Sequence, residues 1–290
     1  MQERKLEKTG LTVGEIGLGA MPLSLDRRPA EKEATEVIHR ALDLGVTLID
    51  TADSYCINEE DKHHNEKLIA QALRSYSKET DRVVVATKGG LMRPGGDWTV
   101  NGDPEHLKKT IRESFEALGG ERPISLWQLH AVDPKFPIEE SLRAVKEAVD
   151  EGRIRCVGLS NVSVREIERA RKVVDVVSVQ NRYNLWELGP ERDGVLSYCE
   201  KEGLAFLPWS PLGGSTRFGR VKEIGVVREI AEKRKVSVYQ VVLAWLMSKS
   251  PCLIPIPGAS HLSSIEDSVK AGDLRLSKDE IAQVNHAGLS

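Results

Sequence analysis

The amino-acid sequence predicts an α/β fold, a (β/α)8 TIM barrel preceded by an N-terminal β-hairpin. Three observations lead to this prediction: eight short β-branched runs recur along the 290 residues, helical segments separate them, and the runs are nearly all apolar. Apolar runs are typical of parallel strands that are covered on both faces, and eight β-α units close naturally into a barrel. We expect one domain over residues 1–290, because barrels of about 250 residues are commonly single units and no linker interrupts this chain.

The predicted strands are residues 15–20, 46–50, 82–88, 124–130, 154–160, 176–183, 204–210 and 252–258. Before the first of them, two short alternating pieces flank the sequence KTG (Lys8 to Gly10). A turn between two alternating pieces indicates a hairpin. We expect this hairpin to plug the N-terminal end of the barrel.

Helices are predicted between the strands by apolar residues at helical spacing. The clearest stripes are Val37, Ile38, Ala41 and Leu42; Leu68, Ile69, Ala72 and Leu73; and Leu107, Ile111, Phe115 and Leu118. Start signals are Asp103 before Pro104 and the capping boxes Ser163 to Glu166 and Ser277 to Glu280. Stop signals are the glycines Gly45, Gly119, Gly152 and Gly203.

A doubly wound sheet is the competing fold. Its glycine fingerprint would have to be GLGAMP after the first strand, but Pro22 stands where the third glycine should pack. No acidic residue closes a second strand at the required distance either. The barrel is therefore the preferred fold.

Composition favours an ordinary globular protein that acts on small molecules. Hydrophobic residues make up 40%, charged residues 29%, and the net charge is -3, which would not gather nucleic acid or anionic lipid. No apolar run approaches the roughly 20 residues of a membrane span, and the start MQERKLEKTG is too charged for a signal peptide. We expect a cytoplasmic monomer or weak oligomer without nucleic-acid or membrane partners.

No metal site is predicted. The four cysteines are far apart and without zinc spacing, and we expect them to be reduced: Cys56, Cys156, Cys199 and Cys252. Cys56 is either a reactive thiol or a space-filling residue, and the second is favoured because nothing nearby indicates a low pKa. The neighbours His63 and His64 would point apart on a helix, and we expect them in a surface loop.

Polar residues end the predicted strands, where barrel active sites lie. Because side chains alternate along a strand, Asp50, Lys88 and His130 converge in the barrel mouth if their faces point inward. Asp50 and Lys88 should pair, since lone buried charges are costly. The same pairing argues against a Schiff-base lysine. Tyr55 follows closely, and we expect the Lys88 ammonium to lower its pKa and make it a proton-transfer group.

The ordered motifs GLGAM, LIDTADSY, NEKLIAQAL, VVATKGG, SLWQLH, GRIRCVGLSN, VSVQNRYN, PWSPLGG and IPIPGAS resemble the aldo-keto reductases from residue 16 to residue 260. The resemblance implies an NADPH-dependent reductase of aldehydes and ketones, with NADH a less favoured cofactor. It places Asp50, Tyr55, Lys88 and His130 on the catalytic tetrad, with Tyr55 as proton donor. The alternative function is an NADPH-binding regulatory or sensor subunit with little turnover.

The resemblance also implies a cofactor site and a substrate pocket. The cofactor residues would be Gly19, Ala20, Met21, Asp50, Ser160, Asn161, Gln180, Trp209, Ser210, Pro211, Leu212, Gly214, Ile256, Gly258, Ser260, His261, Ser264, Asp267 and Ser268. The substrate pocket would comprise Met21, Tyr55, Trp98 and His130, although Trp98 could instead anchor its loop.

Several positions depart from the family pattern. His261 replaces a common arginine and should hold the extra phosphate of NADPH less strongly, and Ser268 replaces an asparagine. Cys56 and Ile57 replace Gly-Asn ahead of a long loop, which could reshape a pocket wall. The sequence ends at Ser290 without a long C-terminal loop, so we expect an open pocket for small carbonyl substrates.

Overall fold

A curled parallel sheet lies at the centre of the structure, a computed structural model that describes residues 2–6 and 9–287. The strands are β1 (Glu3–Leu6), β2 (Leu11–Gly14), β3 (Leu18–Gly19), β4 (Leu48–Asp50), β5 (Val84–Gly89), β6 (Leu91–Met92), β7 (Thr99–Val100), β8 (Leu126–Leu129), β9 (Val157–Ser160), β10 (Val176–Gln180) and β11 (Ala205–Phe206). Seven form one parallel sheet in the order β11-β10-β9-β8-β5-β4-β3. This order follows the chain and has no reversal point, which excludes the doubly wound alternative.

The predicted eighth strand, residues 252–258, closes the barrel without forming a regular strand. Leu253 bridges β11 and Gly258 bridges β3, both in parallel orientation. Backbone N–H groups in and just before β3 donate to the carbonyls of Pro255 and Pro257, each at 2.9 Å. Because a proline has no N–H, the ladder is interrupted at both positions. The predicted (β/α)8 barrel is confirmed, with isolated bridges and hydrogen bonds in place of a regular eighth strand.

The predicted N-terminal hairpin is also confirmed. Strands β1 and β2 pair in antiparallel register, whereas Lys8 of the expected turn lies outside the described residues. Leu6 and Val13 are buried in one cluster with residues of the barrel interior such as Leu48 and Leu126. The hairpin therefore plugs the barrel from below, and its apolar side chains complete the interior.

Arg4 anchors this hairpin to the chain that leads into residues 252–258. Its Nη1 donates to the carbonyls of Ser250, Pro251 and Leu253 at 3.0, 3.0 and 2.5 Å. Because hydrogen bonds from a charged donor are the stronger ones, Arg4→Met is expected to lower the free energy of unfolding by about 2 kcal/mol. Urea denaturation measures the change, and Lys5→Met, an exposed neighbour on β1, is the control. Equal losses in the two variants would contradict the anchoring role.

The helices surround the sheet. They are α1 (Glu31–Asp43), α2 (His64–Ser75), α3 (Pro104–Ala117), α4 (Ile138–Asp150), α5 (Val164–Ala170), α6 (Gly189–Arg192), α7 (Val195–Glu202), α8 (Gly214–Arg217), α9 (Gly225–Arg234), α10 (Val238–Ser248), α11 (Leu262–Lys270) and α12 (Lys278–Ala287). The three predicted stripes lie on α1, α2 and α3, and most of their residues are buried. Across the part of the chain that the structure describes, no helix has the length and apolar character needed to cross a membrane.

The predicted helix ends are confirmed in their details. Asp103 accepts hydrogen bonds from the N–H groups of Glu105 and His106 at the start of α3. Both predicted capping boxes form, at the starts of α5 and α12. The four stop glycines have positive φ: Gly45, Gly119, Gly152 and Gly203. The capping residues therefore set where these helices begin and end. The helix ends in turn limit where the neighbouring strands end.

Candidate active site

The carboxyl ends of neighbouring strands bring the predicted tetrad together. Asp50 ends β4, Lys88 lies on β5, and His130 directly follows β8. The Lys88 ammonium, fully buried, donates to Asp50 Oδ2 at 2.7 Å, to the Thr51 carbonyl at 2.8 Å and to Tyr55 Oη at 2.9 Å. All three of its hydrogen-bond directions are used. The expected pairing of Asp50 with Lys88 is present, and it points the ammonium at the phenol.

Asp50 is held from two sides. Its second oxygen, Oδ1, accepts a hydrogen bond from Gln180 Nε2 at 2.7 Å. Burial lowers the pKa of Lys88, while the charge of Asp50 acts in the opposite direction. A buried ion pair with few free lone pairs and protons is what a low-dielectric site tolerates. The carboxylate therefore fixes both the position and the charge of Lys88.

The pKa of Tyr55 moves opposite to the expected direction. Burial raises it well above its usual value of 10.0, and the charges of Asp50 and Asp53 add to the rise. The prediction that Lys88 lowers this pKa is therefore wrong for the described chain. Burial disfavours the charged phenolate more than the hydrogen bond from Lys88 favours it. Tyr55 is consequently neutral and keeps its hydroxyl proton.

The rings of Tyr55, His130 and Trp98 contact one another edge to face. The ring centroids of Tyr55 and His130 lie 5.8 Å apart, and Trp98 lies 6.5 Å from each of them. Burial and the Lys88 charge hold the pKa of His130 well below its usual value, so the imidazole is neutral. Its Nδ1 is buried and has no hydrogen-bond partner among the described residues. Trp98 thus lines the mouth beside Tyr55, which favours the pocket-wall alternative over a mere loop anchor.

The exposed large hydrophobic residues gather at this end of the barrel. Within the described chain they are Met21, Ile57, Trp98, Phe218 and Leu262. Met21, Ile57 and Trp98 lie in loops that follow barrel strands, Phe218 follows α8, and Leu262 is the first residue of α11. Exposed apolar side chains that cluster on one face indicate a binding surface. The carboxyl face of the barrel is therefore where a ligand would bury apolar area.

Amide and indole groups surround His130 on the other side. Asn161 Nδ2 donates to the His130 carbonyl at 3.0 Å, and Trp209 Nε1 donates to Asn161 Oδ1 at 3.0 Å. Asn161 and Ser210 have φ of 57° and 50°, an unusual backbone conformation for residues other than glycine. Such conformations concentrate at ligand sites, where surrounding contacts maintain them. The predicted residues Ser160, Gln180 and Trp209 lie within this group.

Two loops that carry predicted cofactor residues flank the same face, one after β11 and one after residues 252–258. After β11, Gly213 and Gly214 have φ of 90° and 66°, and the Gly213 N–H donates to the Ser210 carbonyl at 2.9 Å, which closes a tight turn. The other loop supplies Gly258, Ser260, His261 and Ser264 before and within α11. Gly19 is required for barrel closure, because a Cβ there would lie 2.7 Å from the Ile256 carbonyl oxygen.

Other predicted cofactor residues are committed to packing. Asp267 accepts hydrogen bonds from Ser237 Oγ and Gln240 Nε2, both at 2.6 Å, and so joins α10 to α11. Ile256 contributes to the barrel interior, and Ser268 is buried. Leu212 is buried as well, while Ala20, Met21 and Pro211 follow strand ends. Both carboxylate oxygens of Asp267 already accept hydrogen bonds within the protein, which weakens its assignment as a cofactor ligand.

A buried polar layer that the sequence did not indicate lies behind Lys88. Asn65 accepts from Thr51 Oγ1 at 2.6 Å, and Glu66 accepts from Thr87 Oγ1 at 2.5 Å and from His63. Thr51 and Thr87 each neighbour a tetrad residue, so this layer fixes the backbone on which the tetrad sits. The available signal was a polar pair on the inward stripe of α2, one turn before its apolar residues.

The expected surface loop at His63 and His64 is wrong. His63 is buried just before α2 and contacts Glu66 Oε2 at 2.6 Å, whereas His64 begins the helix and contacts Ser24 Oγ at 2.8 Å. Their partners differ, as expected for neighbours that point apart. Cys56 is buried, and burial raises the pKa of its thiol to about 12, which supports the space-filling interpretation.

Relatives of known family show the same sequence pattern. A model described as the Aldo/keto reductase family matches residues 15–288. An uncharacterized oxidoreductase from Schizosaccharomyces pombe is 36% identical over 286 residues, which cover 97% of this chain and 88% of that protein. A probable aldo-keto reductase from Glycine max is 28% identical and covers 99% of this chain and 89% of its own length.

Solved structures of similar fold include other aldo-keto reductases. A thermostable aldo-keto reductase in complex with the inhibitor epalrestat is 28% identical with a TM-score of 0.83, covering 99% of this chain and 100% of its own. A glycerol dehydrogenase from Gluconobacter oxydans is 25% identical with a TM-score of 0.83, covering 98% and 94%. A Klebsiella pneumoniae aldo-keto reductase in complex with NADP and acetate, 24% identical with a TM-score of 0.79 over 95% and 91%, shares the fold. Because the family model spans nearly the whole sequence and the yeast relative is similarly covered, this chain belongs to the aldo/keto reductase family of oxidoreductases.

Proposed function

We propose that this protein reduces small aldehydes and ketones to alcohols with NADPH. The observation that carries the proposal is the position of Lys88 Nζ, 2.7 Å from Asp50 and 2.9 Å from the Tyr55 hydroxyl. A buried ammonium in contact with a neutral phenol stabilises the phenolate that remains after proton donation. A chain that only bound a nucleotide would have no use for that arrangement.

The residues at the carboxyl face fit a nicotinamide dinucleotide. Hydroxyl and amide groups of Ser160 and Asn161 converge beside His130, and they suit a carboxamide. The Trp209 ring is covered on one side by the Arg182 guanidinium at 5.2 Å, and a flat heterocycle can stack on its other face. The N-terminus of α11, which Ser260 and His261 precede, suits phosphates. The NADP in the Klebsiella pneumoniae relative supports this choice of cofactor.

The protein residues then have distinct tasks. NADPH, when bound, supplies the hydride that the carbonyl carbon receives. Tyr55 Oη donates its proton to the carbonyl oxygen, and Lys88 stabilises the resulting phenolate through the existing hydrogen bond. His130, neutral at ordinary pH, donates a hydrogen bond to the carbonyl oxygen and orients it. Asp50 keeps Lys88 charged throughout, so the chain contributes positioning and proton supply.

Steady-state oxidation of NADPH against a panel of small aldehydes and ketones tests the proposal. Wild type should turn over several of them, whereas Tyr55→Phe should bind NADPH with unchanged affinity, measured by fluorescence titration, and lose turnover. If both proteins bind NADPH equally and wild type reduces no member of the panel, the reductase proposal fails. That result would favour the regulatory or sensor alternative.

His261 offers a test of the cofactor preference. In the proposed site its imidazole, exposed at the start of α11, faces the extra phosphate of NADPH. A guanidinium holds a phosphate with two parallel hydrogen bonds, so His261→Arg is expected to tighten NADPH binding by about fivefold to tenfold. Fluorescence titration measures the dissociation constants, and NADH is the matched control ligand. A parallel gain for NADH would show that His261 does not meet that phosphate.

A further inference from the structure

Arg93 connects the loop that follows Tyr55 to the loop that carries Trp98. It directly follows β6 and is buried, with 5% of its surface exposed. Its guanidinium carbon lies 4.1 Å from the centroid of the Trp98 ring, and its Nη2 donates to the Ile57 carbonyl at 3.3 Å. Its backbone N–H also donates to the carboxylate of Glu59. One side chain therefore stacks on the loop after β5 and binds the loop after β4.

The loop after β4 is held from its other side as well. Asp61 accepts a hydrogen bond from the Ile57 N–H at 3.1 Å and pairs with Arg28 at 2.5 Å. A Cβ at Gly96 would lie 3.4 Å from the Ile57 carbonyl oxygen, so the two loops already touch. Ile57 is thus fixed between an acidic and a basic partner, and only the basic partner, Arg93, also contacts Trp98. Ile57, which departs from the family pattern, is therefore held through both its N–H and its carbonyl group.

The Trp98 ring, on which Arg93 stacks, faces the proposed site of reaction. Trp98 stands nearly perpendicular to Tyr55, at 85°, and its plane makes an angle of 68° with His130. Edge-to-face geometry is the favourable arrangement for aromatic pairs, and a flat guest ring can extend it. A cation over one face of the indole restricts its rotation, because the stacking is lost when the ring turns. The space beside the Tyr55 and His130 rings is therefore bounded by a flat ring whose orientation Arg93 fixes.

We propose that Arg93 is a positioning residue for substrate selectivity. By fixing Trp98 and Ile57 it favours carbonyl groups attached to a flat apolar ring over those attached to a saturated ring of the same size. This inference rests on the reductase function proposed above and adds the residue that sets its preference. Arg93 acts through Trp98 and Ile57 and takes no part in proton transfer.

The test compares benzaldehyde with cyclohexanecarbaldehyde in wild type, Arg93→Met, Trp98→Leu and the double variant. Wild type should prefer benzaldehyde in kcat/KM. Arg93→Met should reduce this preference by about fivefold to tenfold through a higher KM for benzaldehyde, with kcat changed by less than about twofold. Trp98 is half-exposed, so Trp98→Leu should fold normally and give the same loss. The double variant should be no worse than either single one, because both remove the same wall.

Arg171→Met is the matched control. Its guanidinium also lies over an aromatic ring, that of Tyr198 at 5.9 Å, but on the outer helices, and the preference should be unchanged. An unaltered ratio in Arg93→Met, a fall in kcat with KM unchanged, or additive losses in the double variant would each overturn the inference. These outcomes are distinct from failure of the proposed function, in which wild type would reduce neither aldehyde.

Discussion

Tyr55→Phe is expected to lower kcat for aldehyde reduction by about 100-fold to 10,000-fold, the contribution of a positioned general acid. The variant keeps the ring and its edge-on contacts with His130 and Trp98, so the shape of the site is preserved. It removes only the hydroxyl that Lys88 contacts at 2.9 Å. Lys88 retains its bond to Asp50, so the ion pair and the fold should survive. NADPH absorbance at saturating cofactor measures kcat.

Tyr76→Phe provides the control for removal of a phenol hydroxyl. Tyr76 donates a hydrogen bond to Asp43 Oδ1 at 2.9 Å where α2 ends, at the face opposite the strand carboxyl ends. Its kcat should equal that of wild type. If Tyr55→Phe kept more than about a tenth of wild-type kcat, the proton would have to come from another group, and the neutral phenol would lose its assigned role.

The features that the sequence predicted are those that depend on local pattern. Parallel strands buried on both faces are apolar along their length, so a polar residue at the end of a run marks the barrel mouth. Asp50, Lys88 and His130 were found in this way, and the structure brings them together. The caps at Asp103 and Ser163 depend on adjacent residues alone, and for that reason they were also predictable.

The features that the sequence did not predict depend on how loops fold against one another. The rise in the pKa of Tyr55 comes from its burial, then from the charges of Asp50 and Asp53, and the sequence gives no sign of that burial. Nothing in the sequence distinguishes Arg93 from other arginines in loops. Its contacts with Trp98 and Ile57 join loops that follow different strands. No short-range pattern encodes such contacts, since they arise only when the barrel places neighbouring loops side by side.

Asp53 is a buried carboxylate with one ion-pair partner and no hydrogen bond to its side-chain oxygens among the described residues. It is fully buried, and neither side-chain oxygen has a hydrogen-bond partner among the described residues. Its ion-pair partner, Lys62 Nζ, lies 3.4 Å away. Burial raises the pKa of Asp53 to about 7, and the lysine only partly offsets this rise. Its backbone accounts for the position, because its N–H donates to the Lys88 carbonyl and its carbonyl accepts from the His63 N–H.

Because of this raised pKa, Asp53 lowers the free energy of unfolding above neutral pH. The unfolded chain releases the Asp53 proton near its ordinary pKa of 3.8, whereas the folded chain keeps it until about 7. Between these values the folded state binds more protons, so stability falls as pH rises, and the full penalty of about 4 kcal/mol applies above about pH 7. Asp53→Asn, which has the same shape and no charge, should therefore unfold with a higher free energy than wild type at about pH 8 and a similar one at about pH 4.

Urea denaturation across this pH range gives the difference directly, with Asp97→Asn as control because Asp97 is exposed. The control should follow wild type at every pH. A constant gap between Asp53→Asn and wild type would mean that the substitution acts through packing, and a gap that shrinks toward alkaline pH would mean that Lys62 stabilises the carboxylate more than burial penalises it. The expected widening gap would instead show that a destabilising carboxylate lies two residues before Tyr55. Above about pH 7, where Asp53 is charged, its charge favours the ammonium of Lys88 and the neutral form of Tyr55, which fits a site that must hold a proton ready for transfer.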